Sequence, residues 1–91
     1  MTVHVQLPPL LRGAMDGERW LEAEGATICE ALRDVAQQHA SLALHLFDEQ
    51  GQVRHNIVCL HGGAVVRARD MHMHRVQQGD ELVLTNALAG G

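Results

Sequence analysis

The stretch GDELVLTNALAGG, residues 79–91, decides how this chain folds. Gly79-Asp80 is a turn signal, and the apolar residues after it predict a strand over residues 81–85. Beyond that strand the side chains shrink until Gly90-Gly91 leaves only backbone. Glycine has no Cβ, so such an end can enter a channel too narrow for any other residue. We therefore expect the carboxylate of Gly91 to be presented to another protein.

The length of 91 residues fits one domain with a small core. A hydrophobic content of 46% is typical of a folded chain rather than a disordered one. No apolar run approaches the roughly 20 residues of a membrane span, and the N-terminus has no charged-then-apolar signal pattern. We expect a cytoplasmic protein that does not enter a membrane, with a folded domain over residues 1–86 and a flexible tail over residues 87–91.

The basic residues are seven arginines, with no lysine, and the formal net charge is −4. Nucleic-acid binding is not expected, because the scattered arginines form no basic face. The absence of lysine also means that no side chain of the protein offers an amine for an isopeptide bond. Copies of this chain therefore cannot be linked tail-to-lysine.

The N-terminal residues predict a β-hairpin. Strict alternation of apolar and polar residues over positions 2–7 indicates a half-buried strand, which Pro8-Pro9 ends. Asp16-Gly17 marks a turn, and residues 19–23 are expected to return as the second strand. Trp20 is the largest residue expected in or near the core of that strand.

A helix should follow the hairpin. Thr27 and Glu30 form a capping box, in which Thr27 caps the first turn and Glu30 reaches back. The helix is expected to end near His39. Its apolar stripe has the spacing i, i+4, i+7 and i+8 and consists of Ile28, Leu32, Val35 and Ala36.

The second half of the chain predicts three more strands. An irregular apolar connection is expected over residues 42–47, closed by a turn at 48–51, and strands follow over residues 55–61 and 64–67. Gly62-Gly63 between them is a two-residue hairpin turn. The last strand should lie centrally beside the first. The predicted fold class is α+β, a mixed four- to five-stranded sheet with one main helix packed across one face.

The cysteines and two of the histidines could have either a structural or a chemical role. Cys29 and Cys59 are expected to be buried, inert thiols, although the helix dipole could lower the pKa of Cys29 in the first helical turn. His72 and His74 would share one face of an extended segment, as metal ligands can. Two ligands make a weak site, so we expect solvated loop histidines and no metal.

Several short motifs occur in a particular order along the chain. They are VQLP at 5–8 with LR at 11–12, EGAT at 24–27, EAL at 30–32, GDEL at 79–82 and AGG at 89–91. In this order they resemble the ubiquitin-like β-grasp sulfur carriers of the ThiS/MoaD family, over essentially the whole chain. The length of the segment over residues 42–56 is more similar to the MoaD and CysO branches. HGG at 61–63 and Thr85-Asn86 depart from common family patterns.

The resemblance implies a carrier rather than an enzyme. In agreement with this, the sequence contains no recognisable catalytic nucleophile–base pair or carboxylate pair. An E1-like adenylyltransferase/sulfurtransferase would use ATP to adenylate Gly91, and sulfur would replace AMP to give a thiocarboxylate. A downstream synthase would accept the sulfur, and the carrier itself would bind no cofactor. Gly90 would give access to the active sites. The candidates for partner docking are Ala87, Leu88 and Ala89.

Three functions remain open at this point. A sulfur carrier could serve the synthesis of cysteine, of a thio-metabolite or of molybdopterin. A ubiquitin-like modifier would instead be conjugated through Gly91 to lysines of target proteins. The third alternative is a plain binding module whose glycine tail is an incidental frayed end.

Overall fold

The computed structural model describes residues 1–13 and 19–86. Five strands form one sheet in the order β2-β1-β5-β3-β4, in which β1 and β5 pair in parallel and the other neighbours are antiparallel. The mixed sheet and the central position of the last strand are thus confirmed. The elements are β1 (Thr2–Gln6), α1 (Pro9–Arg12), β2 (Trp20–Glu24), α2 (Ile28–Gln38), α3 (Ala40–Leu46), β3 (Ile57–His61), β4 (Ala64–Arg67) and β5 (Glu81–Asn86).

The core lies between one face of the sheet and helix α2. Alternate residues of each central strand point inward, as the two-residue period of a strand requires, and the apolar stripe of α2 meets them. One hydrophobic cluster among the described residues joins the two layers. Its central members are Val3, Val5, Ile28, Leu32, Val35, Leu82 and Leu84.

The predicted cap fixes the start of α2. The Oγ1 atom of Thr27 accepts a hydrogen bond from the backbone N–H of Glu30 at 3.2 Å. The Glu30 carboxylate accepts from the backbone N–H of Ala26 at 2.9 Å, one residue further back than in an ideal capping box. The helix ends at Gln38 with His39 as its C-cap, as predicted.

The irregular connection expected over residues 42–47 is wrong, because the structure has helix α3 there. Leu42 and Leu46 are buried, while Leu44 is 73% exposed. The apolar residues of this segment suggest no regular period, but Leu42 and Leu46 are spaced i, i+4, which suits one helix face. Packing against α2 therefore selects the helical spacing.

The expected core position of Trp20 is also wrong, since its side chain is 40% exposed. Leu21 and Ala23 are the buried residues of β2, so the strand alternation turns Trp20 to the opposite face. The large size of Trp20 suggested a core position. The alternation of Leu21 and Ala23 along the strand predicts the buried face correctly.

The hairpin between β3 and β4 is confirmed. Gly62 and Gly63 have φ angles of +56° and +84°, the positive values that a two-residue primed turn requires. His61 pairs with Ala64 directly across this turn.

A close approach makes Gly25 sensitive to substitution. A Cβ atom at Gly25 would lie 2.6 Å from the backbone nitrogen of Ala31 in α2. We expect Gly25→Ala to lower the free energy of unfolding by about 1–3 kcal/mol, because backbone must shift to admit the methyl group. Urea denaturation measures this change. Gly13→Ala is the matched control, since its Cβ would meet nothing within 4 Å among residues 1–13 and 19–86, and an equal loss in both variants would contradict the steric explanation.

Candidate functional site

The last described residue, Asn86, ends strand β5 opposite Ile57 of β3. The structure therefore defines the end of the strand from which the predicted tail continues. The site residues predicted from the sequence lie outside the described residues, and they are Ala87, Leu88, Ala89, Gly90 and Gly91.

A cavity of about 450 Å³ lies beside the end of β5, between α1 and α3. Two of the residues that line it are among the most exposed apolar residues described, Leu10 at 84% and Leu44 at 73%. Arg54 also lines it and donates from Nε to the carbonyl of Leu44 at 2.6 Å. The end of β5 is thus surrounded by exposed apolar side chains and one anchored cation.

The open face of the sheet carries a row of residues across all five strands. Trp20 pairs with Gln6, Gln6 with Val83, Val83 with Leu60, and Leu60 with Val65. At the usual strand spacing the row is about 19 Å long. Four of its five members are apolar, and Val65 is 63% exposed. This apolar row is a candidate docking surface whose residues the sequence prediction did not name, because it placed Trp20 in or near the core.

Charge differs on the two sides of the apolar row. On one side, Glu22 pairs with His4 and His4 with Glu81, so two exposed carboxylates lie on the open face. On the other side, Val58 pairs with both Thr85 and Arg67. A partner that covers the row would therefore meet carboxylates along one edge only.

Three polar side chains join the hairpin tip to the start of β5. Nε2 of His61 lies 2.8 Å from Oδ2 of Asp80, and Nδ1 of His61 lies 2.9 Å from Nε2 of His74. An ionised carboxylate only accepts, so His61 is the donor to Asp80. Hydrogen bonds from the Gln77 backbone and from His61 lower the pKa of Asp80. This cluster fastens the segment before β5 to the end of β3.

The prediction of solvated loop histidines holds for the exposed His72 but not for His74, which is half-buried and bonded to His61. Local sequence patterns do not indicate this contact, because 13 residues separate the two histidines. Within residues 1–13 and 19–86, no three His, Cys, Asp or Glu side chains are arranged to hold a metal ion.

The two cysteines differ in their surroundings. Cys59 is fully buried in the core, and burial raises the pKa of its thiol to about 12. It therefore packs as an apolar residue, as predicted, because a thiol and not a thiolate is present at neutral pH. Cys29 is half-buried and packs against the same core.

Comparison with solved structures decides the family. Over 98% of its length this chain is 32% identical to a chain of the Amycolatopsis orientalis BexX/CysO complex, with 99% of that chain covered and a TM-score of 0.77. The chain belongs to the ThiS/MoaD family of ubiquitin-like sulfur carriers. No protein-family model and no curated protein matched it.

Two further structures share the fold of this family member. Haloferax volcanii small archaeal modifier protein 1 is 22% identical, with a TM-score of 0.79 and coverage of 96% of this chain and 98% of that chain. Mycobacterium tuberculosis CysO is 19% identical, with a TM-score of 0.76 and coverage of 94% and 99%. The predicted β-grasp architecture is thereby confirmed. None of the described helices has the length and apolar character needed to cross a bilayer.

Asp80→Asn tests the polar cluster of this ThiS/MoaD-family protein. The pKa of Asp80 is lower in the folded than in the unfolded chain, so its contribution to stability is complete above the ordinary value of 3.8 and is lost as the pH falls below it. We expect the variant to be less stable by about 1 kcal/mol at neutral pH, because a charge-assisted hydrogen bond is weakened.

Urea denaturation from neutral pH down to about pH 2 follows this difference, which should narrow through the acidic range. Asp70→Asn is the control, since the exposed Asp70 approaches only Arg69, at 4.0 Å. A stability difference for Asp80→Asn that stays constant with pH would exclude the carboxylate as its cause.

Proposed function

We propose that this ThiS/MoaD-family protein carries sulfur as a thiocarboxylate on Gly91. The observation that carries the proposal is the sequence Ala89-Gly90-Gly91, which begins three residues after Asn86 ends the central strand, in a chain that belongs to a family of sulfur carriers. Strand β5 is held on both sides, by β1 and by β3. The folded domain thus supplies a firm base for a terminus made of backbone alone.

The proposed chemistry requires other proteins. A terminal carboxylate has an ordinary pKa of about 3.5 and is ionised at neutral pH, so it is a poor electrophile. An activating enzyme would transfer AMP from ATP to Gly91 and release pyrophosphate. The terminal sulfur of a persulfide would then displace AMP, and a thiol would reduce the resulting acyl disulfide to the thiocarboxylate.

We assign the apolar row on the open sheet face as the surface that meets such partners. Contiguous exposed apolar residues in a small protein mark interaction sites. Val83 of the row lies three residues before Asn86 on the same strand, so a protein covering the row is close to the end of β5. The CysO in the Amycolatopsis orientalis structure was crystallised with a partner protein, BexX.

Conjugation to target proteins is the second candidate function. Haloferax volcanii small archaeal modifier protein 1, by its name a modifier, shares this fold, and an adenylated Gly91 could equally acylate a lysine. The absence of lysine in this chain restricts how such a modifier could form chains. A copy attached to a target lysine could not be extended through a side chain, because this chain offers no side-chain amine.

Intact-mass measurement after co-expression with the cognate activating enzyme tests the carrier function. We expect the mass to increase by the difference between one sulfur and one oxygen atom, because one carboxylate oxygen is replaced. A variant that lacks Gly91 is the control and should keep its unmodified mass. An unchanged wild-type mass, together with heavier target proteins that disappear in the control, would instead establish the modifier.

Val65→Glu tests the docking surface. A charge introduced at the β4 end of the covered apolar row should raise the KM of the activating enzyme for this carrier roughly fivefold to tenfold, with little change in kcat. Met73→Glu is the matched control, because Met73 is 66% exposed but belongs to no sheet strand. Equal effects of both substitutions would show that added charge, and not the row, matters.

A further inference from the structure

A second cavity, of about 620 Å³, lies where α2 meets the loop after α3 and residues 68–72. It shares no lining residue with the cavity beside the end of β5 or with the apolar row. Its volume is within the range of about 300–1,000 Å³ that small-molecule sites occupy. The carrier function proposed above makes no use of it.

Four of the nine described residues that line this cavity are arginines or histidines. Two of the seven arginines, Arg33 and Arg69, line it together with His55 and His72. The only carboxylate in the lining is that of Asp48. This excess of N–H donors is notable in a chain whose formal net charge is −4.

The Asp48 carboxylate is already engaged. Its Oδ1 atom accepts the backbone N–H groups of Gln50 and Gln52 at 2.9 and 3.0 Å and so holds the turn of the loop. It forms no ion pair of 4 Å or less with Arg33 or Arg69 among the contacts of the described residues. Within the described part of the protein, Asp48 therefore pairs with neither arginine of the cavity, and the ion pair of Arg69 is a long, solvent-exposed approach to Asp70 at 4.0 Å.

Arg33 is held in place before any ligand arrives. Its guanidinium lies over the ring of Phe47, 5.1 Å from the centroid, and Nη2 donates to the carbonyl of Gly51 at 3.1 Å. A guanidinium has five N–H donors in a planar fork, so one hydrogen bond leaves donors for a ligand. Such a fork matches the oxygens of a phosphate group.

Part of the cavity wall is apolar. Val53 and Ala68 contribute to the lining, as does the half-buried thiol of Cys29. A cavity lined by both apolar residues and a pair of arginines suits a ligand that has a short carbon skeleton and a charged end.

We infer that this cavity binds a small phosphate-bearing anion, independently of the C-terminal tail. Arg33 would hold the phosphate oxygens from helix α2, and Arg69 from the segment over residues 68–70. The histidines would add hydrogen bonds, and the wall that contains Cys29 would contact the carbon skeleton.

Alkylation of Cys29 by N-ethylmaleimide measures occupancy directly. Cys29 and Cys59 are the only cysteines, and the buried Cys59 is an internal control for unfolding. N-ethylmaleimide is uncharged, so bound phosphate acts on it by covering the thiol. Phosphate at ten times its Kd should slow the reaction roughly tenfold, while potassium chloride of equal ionic strength should not.

The binding experiment compares two ligands, inorganic phosphate and glycerol phosphate. Tighter binding of glycerol phosphate would identify an organic phosphate as the ligand class, and equal binding would identify the inorganic ion. In parallel, the NMR signals of the His55 and His72 rings should shift, while those of His4 and His45, which do not line this cavity, should stay in place.

Arg69→Gln is expected to raise the Kd for phosphate by roughly fivefold. The exposed Arg69 makes only the 4.0 Å approach to Asp70, so its loss leaves the core intact. Arg67→Gln is the matched control, because Arg67 is also exposed but does not line the cavity.

Two results would overturn the inference. One is the absence of both protection of Cys29 and histidine shifts with either phosphate. The other is an equal loss of affinity in Arg67→Gln and Arg69→Gln, which would indicate general surface charge. A variant without Gly91 should bind phosphate like the wild type, so this experiment and the test of sulfur carriage fail separately.

Discussion

The parallel pairing of β1 with β5 joins the two ends of the described chain and places the last strand in the middle of the sheet. His4, Val5 and Gln6 lie beside Glu81, Leu82 and Val83. Such distant residues meet only at the cost of closing a long loop, and the burial of the apolar side chains offsets that cost. The proposed carrier function depends on this contact, because β5 supplies core residues, a member of the proposed docking surface and the strand end that precedes residues 87–91.

Strand β5 divides these roles by alternation. Leu82 and Leu84 point into the core beneath α2, while Val83 between them belongs to the apolar row on the open face. A partner that covers the row therefore contacts the same rigid strand from which the terminus continues. The phosphate site that we infer lies on the helix side of the sheet, so both surfaces could be occupied together.

Local signals in the sequence were enough to predict much of the fold. The cap at Thr27, the glycine turn after His61 and the apolar last strand each depend on neighbours along the chain, and the structure confirms them. Helix α3 and the exposure of Trp20 agree with local spacings that were interpreted incorrectly, and packing against the core decides between the alternatives. The bond between His61 and His74 joins separate segments, which local patterns do not encode. Gly90 and Gly91 remain predictions, made from the end of the sequence and the family.

The position of β5 between two hydrogen-bonded neighbours has a mechanical consequence. A partner that draws the terminus into its active site pulls along the strand axis, across the ladders to both β1 and β3. Those hydrogen bonds lie across the direction of pull and are loaded together in shear, whereas a strand peeled from a sheet edge loses them one at a time. The domain can therefore bear tension on its terminus without unravelling.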